Sequence, residues 1–243
     1  MRIELRSVVK RYAGVNALDR VSLEIAPGNV VALLGSNGAG KTTFLRCLAG
    51  IASPDQGQVL YDDAEFVRED VPMRRRLFFL PDFPFVFWHH TVLQHLGMTL
   101  RIYGKDQAGV EERVLQLLKD FEILELAERP LQTLSRGQLY KTALCGIIAA
   151  DPELWLLDEP FASGMDPHGI NMFKRHSREA ANRGRIVIYS TQILDVVEKF
   201  SDVVCMLQRG EVRAFGSIEQ LRLKAQGGGN LEEIFNTLRQ EEG

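Results

Sequence analysis

The octapeptide Gly35-Ser36-Asn37-Gly38-Ala39-Gly40-Lys41-Thr42 limits what this chain can fold into more than any other stretch. It matches G-x-x-x-x-G-K-[ST], a loop that wraps phosphate groups. The apolar run Val30-Val31-Ala32-Leu33-Leu34 precedes it and has the length of a strand. Thr43-Phe44-Leu45-Arg46-Cys47-Leu48-Ala49 follows, with Phe44, Leu45 and Leu48 at helical spacing. Strand, glycine-rich loop and helix therefore come in the order the chemistry needs. Glycines let backbone N–H groups point inward around an anion, and the helix N-terminus adds positive partial charge. Lys41 has the reach for terminal phosphates, and the Thr42 hydroxyl suits Mg²⁺.

A second stretch fits the same chemistry. Leu154-Trp155-Leu156-Leu157-Asp158-Glu159 is an apolar strand that ends in two carboxylates. After a phosphate loop, the first acid suits Mg²⁺ and the second suits a base for water. Ile186-Val187-Ile188-Tyr189-Ser190-Thr191-Gln192 is another strand with a polar end. Leu134-Ser135-Arg136-Gly137-Gln138 places Ser135 and Gln138 at capping-box spacing before a helix over 139–150. An ordinary helix cap explains those two residues as they stand, although Gly137 also allows close approach of an anion. Tyr12, beside Ala13-Gly14, is either a packing residue or a stacking surface for a flat base. Phe83-Pro84-Phe85-Val86-Phe87-Trp88 is too rich in proline for a helix and reads equally as core or as the lining of a partner groove.

Composition narrows the function classes. Net charge is −3, which argues against a protein that coats nucleic acid. No apolar run reaches the length of a membrane span, and the N-terminus lacks the apolar core of a secretory signal. Cys47, Cys145 and Cys205 are far apart, without metal-ligand spacing, and read as buried thiols in a reducing cytosol.

The periodicities predict strands early in the chain, helices over 91–103 and 110–126, and a closing hairpin from Val203-Val204-Cys205-Met206-Leu207, Gly210 and Val212. Gly227-Gly228-Gly229 reads as a hinge before a short amphipathic helix carrying Leu231, Ile234, Phe235 and Leu238. The expected fold is an α/β sheet with helices on both faces, interrupted by a mainly helical block from about residue 85 to 150.

Taken together, these residues resemble the ATP-binding subunit of an ABC transporter over nearly the whole chain. Residues 35–42, 134–138 and 154–159 occur in that family's order and at its distances. The resemblance implies a single nucleotide-binding domain over 1–243: a P-loop NTPase (RecA-like) core with an antiparallel β subdomain, 1–84 and 151–217. Residues 85–150 would form the inserted helical subdomain and 218–243 a helical tail. It implies ATP and Mg²⁺ as ligands. Tyr12 would stack on adenine, Gly35 to Thr43 would hold the phosphates, and Thr42 with Asp158 would hold the metal. Glu159 would polarise the attacking water. Ser135, Gly137 and Gln138 would contact the ATP of a facing subunit, in a homodimer or a heterodimer with a similar ATPase.

The implied partner is a separate transmembrane permease, with the chain peripheral on the inner face of the cell membrane and no nucleic acid bound. Ser163-Gly164-Met165-Asp166-Pro167 and Leu231-Glu232-Glu233-Ile234-Phe235 look like the ATPases of ABC-2-type exporters. Three positions depart from the pattern. Asp82 stands where glutamine is usual, Gln192 stands where histidine is usual, and the loop from Glu159 to Asp166 is one residue longer. Asp82 is expected to serve the metal still, and Gln192 to donate to the γ-phosphate. The intact Lys41, Thr42, Asp158 and Glu159 favour an active ATPase that powers transport. The departures support the alternative, a weakly hydrolysing, nucleotide-gated regulatory subunit. A soluble role in translation or DNA repair would call for a second nucleotide domain or a long coiled coil, and neither is present.

Overall fold

The computed structural model describes residues 1–67, 69–224 and 233. The chain opens with the strands β1 (Ile3–Tyr12), β2 (Val15–Ile25) and β3 (Val30–Leu34), followed by α1 (Lys41–Leu48). Strands β4 (Gln56–Tyr61) and β5 (Ala64–Glu65), a short α2 (Val71–Arg74) and β6 (Leu77–Leu80) come next. Three helices then succeed one another, α3 (Val92–Ile102), α4 (Val110–Asp120) and α5 (Arg136–Ala150). β7 (Leu154–Leu157), α6 (Pro167–Asn182), β8 (Ile186–Thr191) and α7 (Leu194–Phe200) restore the alternation. β9 (Val203–Gln208), β10 (Glu211–Ser217) and α8 (Ile218–Lys224) complete the described elements.

Two sheets result. The first is antiparallel, in the order β2-β1-β4-β5, and the second runs β10-β9-β3-β8-β7-β6. In the second, β9, β3, β8, β7 and β6 are parallel neighbours and β10 turns back antiparallel on β9. All five residues of β3 and all four of β7 are buried, as expected of parallel strands covered on both faces. The strand period of two sorts their side chains between two cores. Val30, Ala32, Leu34, Trp155 and Leu157 pack with residues of α3, α4 and α5. Val31, Leu33, Leu154 and Leu156 pack with α1 and the first sheet, among them Phe44, Leu45, Ile3 and Leu18.

Local chemistry sets the helix boundaries. α3 begins where expected, because Thr91 and Gln94 form a reciprocal capping box. α4 ends earlier than the apolar spacing predicts. Glu122 has a left-handed backbone (φ 55°), and the next residues form a separate 3₁₀ turn, Leu124–Leu126. α5 starts three residues before 139, at Arg136, with Ser135 as its cap. It is buried almost all round, so its faces do not differ in the way an amphipathic helix requires. The closing hairpin is present as β9 and β10. All three cysteines are free and buried, as expected. The expected hinge at Gly227-Gly228-Gly229 and the helix carrying Leu231, Ile234, Phe235 and Leu238 lie outside the described residues.

Candidate functional site

The loops at the C-terminal ends of β3, β7 and β8 meet on one edge of the parallel sheet, where such sheets bind ligands. The first loop is the glycine-rich one. Ser36, Asn37 and Gly38 are exposed, and Gly35 and Ala39 are buried. The Gly35 N–H donates to the Thr191 carbonyl at 3.3 Å, which ties the loop to the end of β8. Gly40 has φ 107°, and a Cβ there would lie 2.4 Å from the Ala17 carbonyl oxygen. A residue with a side chain is excluded twice at this position, by backbone conformation and by space. The same close approach sets the start of β2 against the loop. Tyr12, which ends β1, is exposed, with the Lys10 ammonium 5.5 Å from its ring centre.

Lys41 is buried and folds back over its own loop. Its Nζ donates to the carbonyls of Gly35 (2.8 Å) and Ser36 (3.2 Å), and lies 3.2 Å from Glu159 Oε1. Thr42 Oγ1 donates to Asp158 Oδ2 at 2.8 Å. Thr43 is half-buried on the first turn of α1. Asp158 is buried, and its other oxygen accepts from Ser190 Oγ at 2.6 Å. Ser190 Oγ in turn accepts from the Glu159 N–H at 2.8 Å. Parallel pairing of Leu157 with Tyr189 brings Ser190 level with Asp158. Glu159 has a left-handed backbone (φ 47°), a conformation that costs of order 1–3 kcal/mol in a non-glycine residue. Gln192 is exposed just beyond β8.

Thr42 and Asp158 suit a hard cation, a hydroxyl beside a fixed carboxylate. Among the described residues no group of three or more His, Cys, Asp or Glu side chains could hold a metal.

The start of α5 abuts this site from the other side. Ser135 and Gln138 form the predicted capping box. Gly137 packs directly on the loop after Glu159, and a Cβ there would meet the Gly164 carbonyl oxygen at 2.3 Å. One turn later, Tyr140 is fully buried and donates to the Asp158 carbonyl at 3.5 Å. Lys141 is buried too, and its Nζ reaches Asp166 Oδ2 (2.6 Å) and the Phe121 carbonyl (3.0 Å). That ammonium holds the Asp166 carboxyl below its ordinary range. Asp82, exposed beyond the end of β6, pairs with Arg136 rather than with Thr42 or Asp158.

The structure thus gathers Gly35 to Thr43, Asp158 and Glu159 into one cluster, and joins Ser135–Gly137 to its flank. Sequence reading did not single out Ser190, Tyr140, Arg136 or Lys141. The polar end of β8 was a signal for Ser190. Arg136 lies inside the stretch 134–138 but carried no role there, and no local pattern marks Tyr140 or Lys141.

A glycine-rich loop, a buried lysine, a threonine and paired strand-end carboxylates at one sheet edge define a P-loop nucleotide site. A model of the ABC transporter family matches residues 18–162, more than half of the 243-residue chain, and the chain belongs to that family. It is 31% identical over 220 residues to the ABC-type transporter ATP-binding protein EcsA of Bacillus subtilis (strain 168), covering 90% of this chain and 89% of that one. It is 35% identical over 226 residues to the sulfate/thiosulfate import ATP-binding protein CysA of Caulobacter vibrioides, covering 91% of this chain and 66% of that one. A solved ATP-binding subunit of an ABC transporter superposes with a TM-score of 0.92 at 27% identity, covering 98% of this chain and all of that one. The fold is that of a P-loop NTPase core with mixed sheets, and the protein is an ATPase. Its ATP hydrolysis powers substrate movement through a separate membrane subunit. Among the described residues no helix is long and apolar enough to cross a membrane.

Proposed function

We propose that Gly35, Ser36, Asn37, Gly38, Ala39, Gly40, Thr42 and Thr43 hold the ATP phosphates, that Lys41 neutralises them, and that Glu159 orients the attacking water. The observation that carries this reading is the Lys41–Glu159 contact of 3.2 Å beside the Thr42–Asp158 hydrogen bond of 2.8 Å. In this structure Glu159 is the counter-ion of Lys41. A γ-phosphate takes that place, and the freed carboxylate accepts a proton from water. Thr42 and Asp158 are the residues that would hold Mg²⁺. Bound there, the ion would supply positive charge that offsets the charge of the phosphates. Ser190 keeps Asp158 and the Glu159 backbone in register. Asp82, paired with Arg136, stands apart from this metal pair. Tyr12 offers an exposed ring to adenine, and Gln192 offers a neutral N–H donor to the γ-phosphate.

The chain works as one nucleotide-binding unit that pairs with a second ATPase, identical or similar, when ATP is bound. Ser135, Gly137 and Gln138 then face the nucleotide of the other subunit. The exposed aromatics Phe83, Phe85, Phe87 and Trp88 form the surface that receives a helix of the permease. This docking holds the protein on the inner face of the membrane. The stretch Ser163 to Pro167 supports an ABC-2-type exporter. Steady-state ATPase assays with a Glu159→Gln control test the catalytic reading, and Ser135→Arg tests the trans contact. That variant keeps monomer nucleotide binding and loses ATP-driven dimerisation. Loss of monomer binding as severe as in Lys41→Ala overturns the trans assignment. One observation favours the second reading, a slow regulatory ATPase. Asp82, where the family's glutamine would stand, is engaged by Arg136.

A further inference from the structure

Arg136 is the first residue of α5. A guanidinium is disfavoured there, because unpaired N–H groups already make that helix end positive. An anion must offset both, and Asp82 supplies it from 54 residues away in sequence. Arg136 Nη2 donates to the Asp82 carboxylate and lies 3.5 Å from the Asp82 carbonyl oxygen. Both side chains are about half exposed, 44% for Arg136 and 51% for Asp82. Exposed ion pairs of this kind hold weakly and exchange readily. The residues of α5 that make its other attachments, Gly137, Tyr140 and Lys141, are themselves buried. Gly137 lies against Gly164, Tyr140 donates to the Asp158 carbonyl, and Lys141 pairs with Asp166. The helix end is therefore fixed to the exit of β7 and only strapped to the exit of β6.

We propose that Asp82 is a positioning residue acting through Arg136. In the separate subunit its carboxylate holds the guanidinium back. When Ser135 and Gly137 close over the ATP of a facing subunit, Arg136 changes partner, from the carboxylate to a phosphate oxygen. A phosphate carries more charge, and its oxygens match the planar guanidinium fork. The inference rests on the ATP-sandwich reading above. It explains the two unusual charges together: a carboxylate at residue 82 is useful because an arginine stands at residue 136.

The test uses the full chain carrying Glu159→Gln, which traps bound ATP. The ATP concentration giving half-maximal dimer is read by size-exclusion chromatography with light scattering, at fixed Mg²⁺. Adding Asp82→Asn lowers that concentration about threefold to fivefold, the range a surface ion pair supports. Adding Arg136→Gln raises it at least about threefold, and Arg136→Lys restores part of the loss. The double variant Asp82→Asn/Arg136→Gln matches Arg136→Gln alone, since Asp82 acts only through Arg136. No change in Asp82→Asn, or equal and additive losses in both single variants, overturns the proposal. A raised Mg²⁺ requirement in Asp82→Asn alone also overturns it and assigns Asp82 to the metal. If the Glu159→Gln parent forms no dimer at any ATP concentration, the sandwich reading itself fails. A dimer in the parent with an inert Asp82→Asn sinks only the present inference.

Discussion

The exits of β6 and β7 lie side by side on the same sheet edge and are built in opposite ways. Beyond β7, the three carboxylates are all engaged. Asp158 binds Thr42 and Ser190, Glu159 meets Lys41, and Asp166 both caps α6 and pairs with Lys141. Beyond β6, Asp82 makes an exposed pair and four of the next six side chains are exposed aromatics. Hydrolysis needs preorganised groups aimed at developing charge, so fixed geometry is the useful property at β7. Reception of a partner needs apolar surface left uncovered, and that surface is found at β6.

The largest effect expected from breaking this comparison is at Glu159. On the proposed reading, Glu159→Gln removes the carboxylate that accepts a proton from the attacking water. The turnover rate should drop about 10²- to 10⁴-fold, with ATP binding retained. Steady-state phosphate release with parallel nucleotide-binding measurements checks this. A variant that hydrolyses at wild-type rate would move the general base elsewhere.

His95 sharpens the comparison on the β6 side. It sits on α3 beneath the aromatic segment, its ring 5.7 Å from that of Phe87, and is buried with Nδ1 unpartnered. Burial, with a smaller push from the nearby His90, brings it down to about 4. The unfolded chain therefore binds a proton near pH 6.5 that the folded chain refuses until about pH 4. The stability this neutral ring contributes is complete above about 6.5 and is lost as pH falls towards 4, an amount on the order of 3 kcal/mol. In denaturant titrations, His95→Leu should lose correspondingly less stability than the wild type between pH 7 and pH 4.5. Parallel pH profiles for the two proteins would show that His95 protonates freely in the fold.

Ser190 is the next step down. It is fully buried, and its hydroxyl bridges Asp158 Oδ1 and the Glu159 N–H. Ser190→Ala strands both partners and should cost about 1–3 kcal/mol of stability. Activity should fall with it, because Glu159 loses the bond that supports its left-handed backbone. Calorimetry and kcat together test the point. An unchanged kcat would show that Asp158 and Glu159 hold their positions without it.

Ser190 also shows which parts of this site sequence can reveal. The residues from Gly35 to Thr42 act locally, so their spacing alone identifies them, and the strand ending in Asp158-Glu159 is equally continuous. Ser190 acquires its role from the parallel register of β7 and β8, a relation between distant segments. Arg136 and Asp82 meet across 54 residues, and Lys141 meets Asp166 across 25. No periodicity carries such pairings. The helix that the spacing predicts over 110–126 is too long for a related reason. Its apolar spacing continues past Asp120, and the left-handed Glu122 that ends it leaves no mark in composition. The alternation of strands and helices was legible because burial on two faces imposes it residue by residue.

The smallest effect on the isolated chain is expected at Phe85, and that small size is what gives the test its meaning. Phe85 is 84% exposed, the most exposed of the aromatics beyond β6. Its ring contributes little to the core, so Phe85→Ser should change folding stability by no more than about 0.5 kcal/mol. Among the described residues no hydrogen bond, ion pair or ring contact joins Phe85 to Lys41, Thr42, Asp158 or Glu159, so the ATPase rate of the separate subunit should be unaffected. Assembly is a different matter. A large aromatic that fills a pocket on a partner can contribute 2 kcal/mol or more to association, by about the measure of interface hot spots. Co-purification of the variant with its permease should therefore fall sharply while soluble activity stays level. A matched control, Asp82→Asn, leaves the aromatic surface in place and should assemble normally. If Phe85→Ser assembles as well as the wild type, the aromatic rim is not the docking surface. If it loses soluble activity instead, the exits of β6 and β7 are coupled within one subunit, and the division of labour drawn between them fails.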